Sequence, residues 1–277
     1  MEEIILKNKK HGMSVLLITI AVYILAIAGV IAGAASGYAA VTIVSVAALV
    51  IFMWVPMGLK VLKPQEALVL TLFGKYVGTL KGEGFYFVNP FCTAVNPAAK
   101  TKLNQSGDVD SHSGPLTLKS ATGSSETLSN KISLKIMTLN NNRQKINDCL
   151  GNPVEIGIAV MWRVVDTAKA AFNVDNYKEY LSLQCDSALR NIVRVYPYDV
   201  APNVDTTGDG VADEGSLRGS SEVVAARIRD EIQSRVNEAG IEIIEARITY
   251  LAYAPEIAAV MLQRLSLIHI SEPTRPY

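Results

Sequence analysis

The sequence predicts an α/β protein in which an N-terminal transmembrane helical hairpin leads into a mixed domain of strands and amphipathic helices. Three observations predict it. Residues 12–59 contain no Asp, Glu, Lys, Arg or His, and that run holds two spans of roughly 20 apolar residues each. After Lys63, segments with apolar residues at every second position alternate with segments repeating at three- and four-residue steps. Turn-forming pairs and prolines separate them, at Asn89-Pro90, Asn152-Pro153, Pro197 and Pro255.

A basic segment, residues 1–12, precedes the hairpin, residues 13–59. Its spans are read as residues 13–35 and 39–57, parted by the weak helix formers Ser36 and Gly37. A cleaved signal peptide has an apolar core of about 7–15 residues, and the first run is too long for that. A buried hairpin in a soluble core is the alternative, but two adjacent segments of this length with no charge on any face would be unusual there. Lys7, Lys9 and Lys10 stand before the hairpin, Lys60 and Lys63 after it, and the intervening turn is uncharged. The excess of lysine at both ends places both in the cytoplasm. Trp54 and Tyr38 fall where interfacial aromatics anchor a span.

Composition narrows the remainder. Lys plus Arg equal Asp plus Glu, 26 each, so no basic surface for nucleic acid is indicated. The three cysteines, Cys92, Cys149 and Cys185, form no CxxC pair and fit structural thiols in a reducing compartment, without a disulfide.

Residues 66–73 form a β-rich apolar run ended by Gly74 and read as a strand covered on both faces. Gly78, Gly82 and Gly84 precede an aromatic strand at residues 85–91. No Gly-Lys-Ser/Thr and no helix follow, so a phosphate loop is excluded. Residues 101–130 are a polar excursion. Ser111-His112-Ser113 within it has no acid placed to orient the histidine and reads as surface. Ile132, Leu134 and Ile136 alternate with polar residues and predict a strand with one wet face.

Period two is clearest at residues 154–164, with Val154, Ile156, Ile158, Val160, Trp162 and Val164 on one face. Asp166-Thr167 caps a short helix to Phe172. A longer helix over residues 176–195 repeats Tyr177, Leu181, Cys185, Ala188, Leu189, Ile192 and Tyr196 at three- and four-residue steps before Pro197 stops it. Ser220-Ser221 opens another, with Val224, Ile228, Ile232 and Val236 as its apolar stripe and Arg227, Glu231 and Arg235 as a charged face assigned to subunit contacts. Gly240 closes it. The next strand is read with Ile244, Ala246, Ile248 and Tyr250 on its inner side, and Pro255 starts a further helix.

Asp205, Asp209 and Asp213, with Gly210 between the last two, imitate positions 1, 5, 9 and 6 of a calcium loop. Position 3 is Thr207 and position 12 is Ser216, so the bidentate Glu is missing and a solvated turn is the preferred reading.

Pro64-Gln65-Glu66-Ala67, Phe73-Gly74-Lys75-Tyr76, Gly84-Phe85-Tyr86, Asn89-Pro90-Phe91 and Asn152-Pro153-Val154-Glu155 occur in that order. They are followed by Trp162-Arg163-Val164, Ala188-Leu189-Arg190, Ile244-Glu245-Ala246-Arg247 and Ala254-Pro255-Glu256-Ile257. This ordered set, behind a membrane anchor, resembles the SPFH or Band 7 family of stomatins, prohibitins and flotillins. The resemblance covers residues 63–264. It implies an α/β SPFH domain at a membrane, ring- or cage-like homo-oligomers, and control of membrane proteases or partition of membrane proteins into microdomains. It brings no catalytic residue and no cofactor. The excursion at 101–130 is longer than the family pattern leads one to expect. Residues 265–277, beginning Leu265-Ser266-Leu267-Ile268-His269, resemble the translation of a sequencing-library adapter and are read as a non-native tail where a coiled coil is expected.

The preferred function is therefore a non-enzymatic scaffold in a prokaryotic inner membrane, partnered by membrane lipids, by further copies of itself and by a client such as a membrane protease. The alternatives are a subunit of a transporter or channel, and a membrane hydrolase. Against the first stands the absence of intramembrane charge. Against the second stand three scattered histidines, no metal-ligand spacing and no nucleophile elbow.

Overall fold

The computed structural model describes residues 2–6, 11–101, 130–141, 143–198 and 215–258. Lys7, Lys9 and Lys10, the calcium-loop candidates Asp205, Asp209 and Asp213, Ser111-His112-Ser113 and the tail lie outside these residues. Within the stretch read as one domain, the described chain forms two compact units. The first draws on the described residues within Met1–Lys100, Ala121–Lys135 and Val164–Asn176, the second on those within Thr101–Ser120, Ile136–Arg163 and Tyr177–Tyr277.

The first unit begins with the hairpin. Helix α1 spans Gly12–Ser36 and α2 spans Ala39–Phe52, with Gly37 in the left-handed region (φ 73°) reversing the chain between them. Both helices are long and apolar enough to cross a membrane when α2 is taken through to Gly58. Leu17, Leu25, Ile31, Ile43 and Ile51 all point outward, an apolar surface that fits a lipid phase. The helices meet through small residues. A Cβ at Gly29 would lie 2.4 Å from Ser45 Oγ, and one at Gly33 would lie 2.6 Å from Thr42 Oγ1, so the Gly-xxx-Gly spacing brings the backbones together.

The second span does not stay α-helical to residue 57, as periodicity and length predict. It ends at Phe52, and Val55–Gly58 form a 3₁₀ turn. Pro56 is the cause, because it has no N–H to give to the Phe52 carbonyl four residues back and its ring crowds that carbonyl. The Tyr23 hydroxyl, from α1, donates to the Phe52 carbonyl at 2.9 Å in its place. The hydroxyls of Thr19, Ser36, Thr42 and Ser45 each donate to the carbonyl four residues back, so none needs water inside the span.

Strand β1 (Leu59–Leu62) follows at once and pairs antiparallel with β4 (Gly84–Phe87), Leu59 opposite Phe87. The folded domain thus starts before Lys63, the boundary read from the sequence. Strand β2 (Glu66–Leu72) pairs with β3 (Lys75–Lys81) on one edge. On the other it pairs with β5 (Thr93–Val95) and β6 (Ile132–Ser133). Ala67 to Thr71 are all buried, as a strand covered on both faces requires. Leu62, Leu68, Leu70, Leu80, Tyr86 and Val88 form the core of one side. Helix α3 (Thr167–Phe172), capped by Asp166 Oδ1 accepting from Lys169 N–H at 2.9 Å, lies against β2.

The second unit holds β7 (Met137–Asn140), β8 (Gln144–Asn147), β9 (Pro153–Val164) and β10 (Ile241–Tyr253), in the order β10-β9-β7 with β8 also on β9. All six inward residues predicted for β9 are buried. Helices α4 (Tyr177–Val193) and α5 (Ser221–Val236) bury the predicted residues except Ile192, which is half-buried, and Tyr196, which is buried beyond the end of α4, and α5 packs on both β10 and α4. Gly240 (φ 66°) ends the helical segment.

Two strand readings are corrected. Ile136 is exposed, because the ladder stops at Ser133 and the chain re-enters a different sheet at Met137, which resets the alternation. In β10 the inward residues are Ile241, Ile243 and Ala246, while Ile244 is 37% exposed. The inward set steps by three there, so the phase assumed from Ile244 fails for the first part of the strand.

Candidate functional site

Two surfaces carry the residues singled out by the sequence. At the membrane junction, the 3₁₀ turn is tied to the domain: Val88 N–H donates to the Gly58 carbonyl at 2.9 Å, and Gly58 is buried. Trp54, half exposed just before the turn, stacks on Phe91 of the Asn89-Pro90-Phe91 turn with centroids 6.2 Å apart. Lys60 is half-buried in β1 and Lys63 is exposed after it. No flexible linker separates span from sheet.

The same unit is closed from the other end of the hairpin. Residues 4–6 lie along the outer edge of β3: Thr79 N–H donates to the Ile4 carbonyl at 2.8 Å, and Leu6 N–H donates to the Thr79 carbonyl at 3.0 Å. Ile5 bridges Thr79 in parallel. The Glu3 carboxylate receives Lys81 Nζ at 2.5 Å and both the backbone N–H, at 3.1 Å, and the hydroxyl of Thr167. Residues 2–6 precede α1 and β3 follows α2, so the segments flanking the hairpin on either side meet at one sheet edge. Sequence reasoning took this segment only as basic flank. The signal was present in Glu3 and the apolar Ile4-Ile5-Leu6, but a three-residue run is too short to read as a strand alone.

On α5, the structure brings Glu231 and Arg235 together and turns them toward α4. Arg235 Nη2 and Nε donate to Glu231 Oε1 at 2.5 and 3.1 Å, and Nη1 donates to Ser187 Oγ at 2.7 Å. The Tyr180 hydroxyl donates to the Arg235 carbonyl at 3.0 Å. Arg227 stands over the Tyr196 ring, 5.6 Å from its centroid. Glu231 and Arg235 thus brace two helices of one chain while both side chains stay partly exposed.

The chemistry of the buried groups runs away from reactivity. Burial pushes the Cys185 thiol up to about 12, with Asp186 adding to it, and burial pushes the Tyr177 phenol up to about 12. Such groups are neutral and unreactive at neutral pH. Among the described residues, Cys92, Cys149 and Cys185 form no disulfide. Asp148 is buried and accepts the N–H groups of Leu150 and Asn152 at 2.9 and 2.7 Å, which makes it a loop staple. Among the described residues no group of three His, Cys, Asp or Glu side chains is placed to hold a metal ion.

Comparison with curated proteins finds no significant match. A family model does match: the SPFH domain / Band 7 family, over residues 60–266, from the second residue of β1 through the described end of the second unit. With that match spanning most of the chain behind two apolar helices, the protein belongs to the SPFH domain / Band 7 family.

Proposed function

We infer that the chain has the membrane-associated role of scaffold type that family membership supports in general. We propose that this chain is a non-enzymatic scaffold whose copies assemble side by side on the cytoplasmic face of the inner membrane and organise microdomains or regulate partners such as membrane proteases. One observation carries the reading: the domain is pinned to its anchor on both sides, through Gly58 and Val88 behind the hairpin and through Ile4 to Leu6 ahead of it. A domain held so close to the bilayer meets its neighbours in two dimensions with little orientational freedom left to lose, which favours assembly.

Contacts between subunits are assigned in this proposal to the exposed side of α5, where Arg227, Arg229 and Asp230 face outward, with Glu231 and Arg235 stiffening the helix behind them. Lysines at both ends of the hairpin support the cytoplasmic orientation. Native mass spectrometry of the full chain in a mild detergent tests assembly. Higher-order homo-oligomers are expected, reduced in size by Arg227→Glu with Arg229→Glu. A strict monomer at micromolar concentration defeats the proposal.

A further inference from the structure

We propose that the cleft at the mouth of the hairpin binds the phosphate-bearing headgroup of an anionic lipid. The cleft, about 460 Å³, is lined by Leu59, Lys60, Val61, Lys63, Glu66 and Lys131, among others. That volume falls within the range of small-ligand sites, about 300–1,000 Å³. Three lysines face one carboxylate, and the carboxylate is already engaged. Glu66 Oε2 receives Lys131 Nζ at 2.9 Å and the Lys63 backbone N–H at 3.1 Å. Lys131 holds the Glu66 carboxyl below its usual range, so it stays ionised and paired. Among the described residues neither Lys60 nor Lys63 closes an ion pair, and the one carboxylate lining the cleft, Glu66, already holds Lys131 while it also feels the Lys63 charge, so the cleft carries more cationic than anionic groups.

Position selects the ligand. Lys60 is the first charged residue after the apolar run, on a strand that leaves the span without a linker. Val61 beside it is 59% exposed, an apolar residue on the rim of a cationic cleft. Trp54 and Phe91 stack at the same junction, where amphipathic rings sit at headgroup level. A headgroup reaches this cleft while its acyl chains stay in the bilayer, and the lysine stems extend along apolar surface toward it. A lysine beside an anionic membrane surface is worth about fivefold in affinity, so Lys60 and Lys63 together supply about 25-fold discrimination.

This inference rests on the hairpin spanning the bilayer. The test uses the full chain in a non-ionic detergent with equal amounts of phosphatidylglycerol and phosphatidylcholine, and native mass spectrometry reads the lipids retained. Wild type is expected to keep phosphatidylglycerol preferentially, and Lys60→Gln with Lys63→Gln to lose about 25-fold of that preference. Equal retention of the two lipids by wild type, or an unchanged preference in the double variant, overturns the proposal. Displacement of the lipid by millimolar inorganic phosphate also overturns it, by identifying a soluble-anion site. Flotation with vesicles of pure phosphatidylcholine separates the two failures. Protein that floats yet shows no lipid preference loses only the headgroup site, whereas protein that stays unbound loses the spanning hairpin as well.

Discussion

Phe73 occupies the first position of the two-residue turn joining β2 to β3, with φ 49°, next to Gly74 at φ 83°. Two consecutive positive φ values are what a tight hairpin of this twist requires, and Asn-Gly is the pair that adopts them at least cost. A phenylalanine there is strained and is also 88% exposed, so it buries nothing within the described chain. Phe73→Asn is expected to raise stability by about 1 kcal/mol, read from the midpoint of thermal unfolding in detergent. Cys185 gives a second residue-scale expectation. Its neutral thiol keeps its proton in the native state up to about 12, whereas the unfolded chain loses it near the ordinary value of 9.0. The native state therefore binds more protons between those values, and stability falls as pH rises through that window, at up to about 1.4 kcal/mol per pH unit for this group. Tyr177 adds to the loss above its ordinary value of 10.0. Cys185→Ala is expected to be less stable at pH 8 and to show a shallower alkaline decline.

Among the elements, the hairpin shows how much rests on small residues. Gly29 and Gly33 leave no room for a Cβ against Ser45 and Thr42, so Gly33→Leu forces α1 and α2 apart. The expected cost is about 1–3 kcal/mol, measured as an earlier midpoint in unfolding by sodium dodecyl sulfate, while Ala35→Leu at an exposed position is expected to be neutral. Element identity followed the strength of the periodic signal. β9, α4 and α5 were legible because each repeats its apolar residues over three or more turns or pleats. β1, β5, β7 and β8 have three or four residues each, and a run that short has no measurable period. β3 was hidden because Gly78 interrupts its alternation. Pro56 was visible in the sequence, and its effect on α2 follows from the missing N–H alone; the Tyr23 hydroxyl that answers it comes from 29 residues away in the chain.

For the whole molecule, the arrangement of termini is the main consequence. Residues 4–6 on the edge of β3 hold the N-terminal segment against the Band 7 domain, so a bilayer crossed by the hairpin has both on one side. Protease added outside intact cells is expected to spare both an N-terminal epitope and everything after Lys60, and to reach both once the membrane is permeabilised. Cleavage of one end alone in intact cells contradicts the strap. The site was legible in part. Lys60, Lys63 and Trp54 stood out as flanks because charge and aromatic girdles mark interfaces in any spanning segment. Glu66, Lys131 and Phe91 did not, since only folding carries residue 131 to residue 66 and the turn at residue 91 to residue 54.

The sequence by itself determined the properties that are local or periodic: two spans, the identity of the longest strands and helices, the caps at Asp166 and Gly240, and a family resemblance distributed over the whole domain. These follow from side-chain chemistry repeated at a short spacing, which needs no knowledge of distant partners. Only the tertiary structure decided the strap of residues 2–6, the helper bond from Tyr23, the inward turn of Glu231 and Arg235, and the lysine cleft. Each joins groups far apart in the chain, where the energy of a contact depends on what the fold places opposite it.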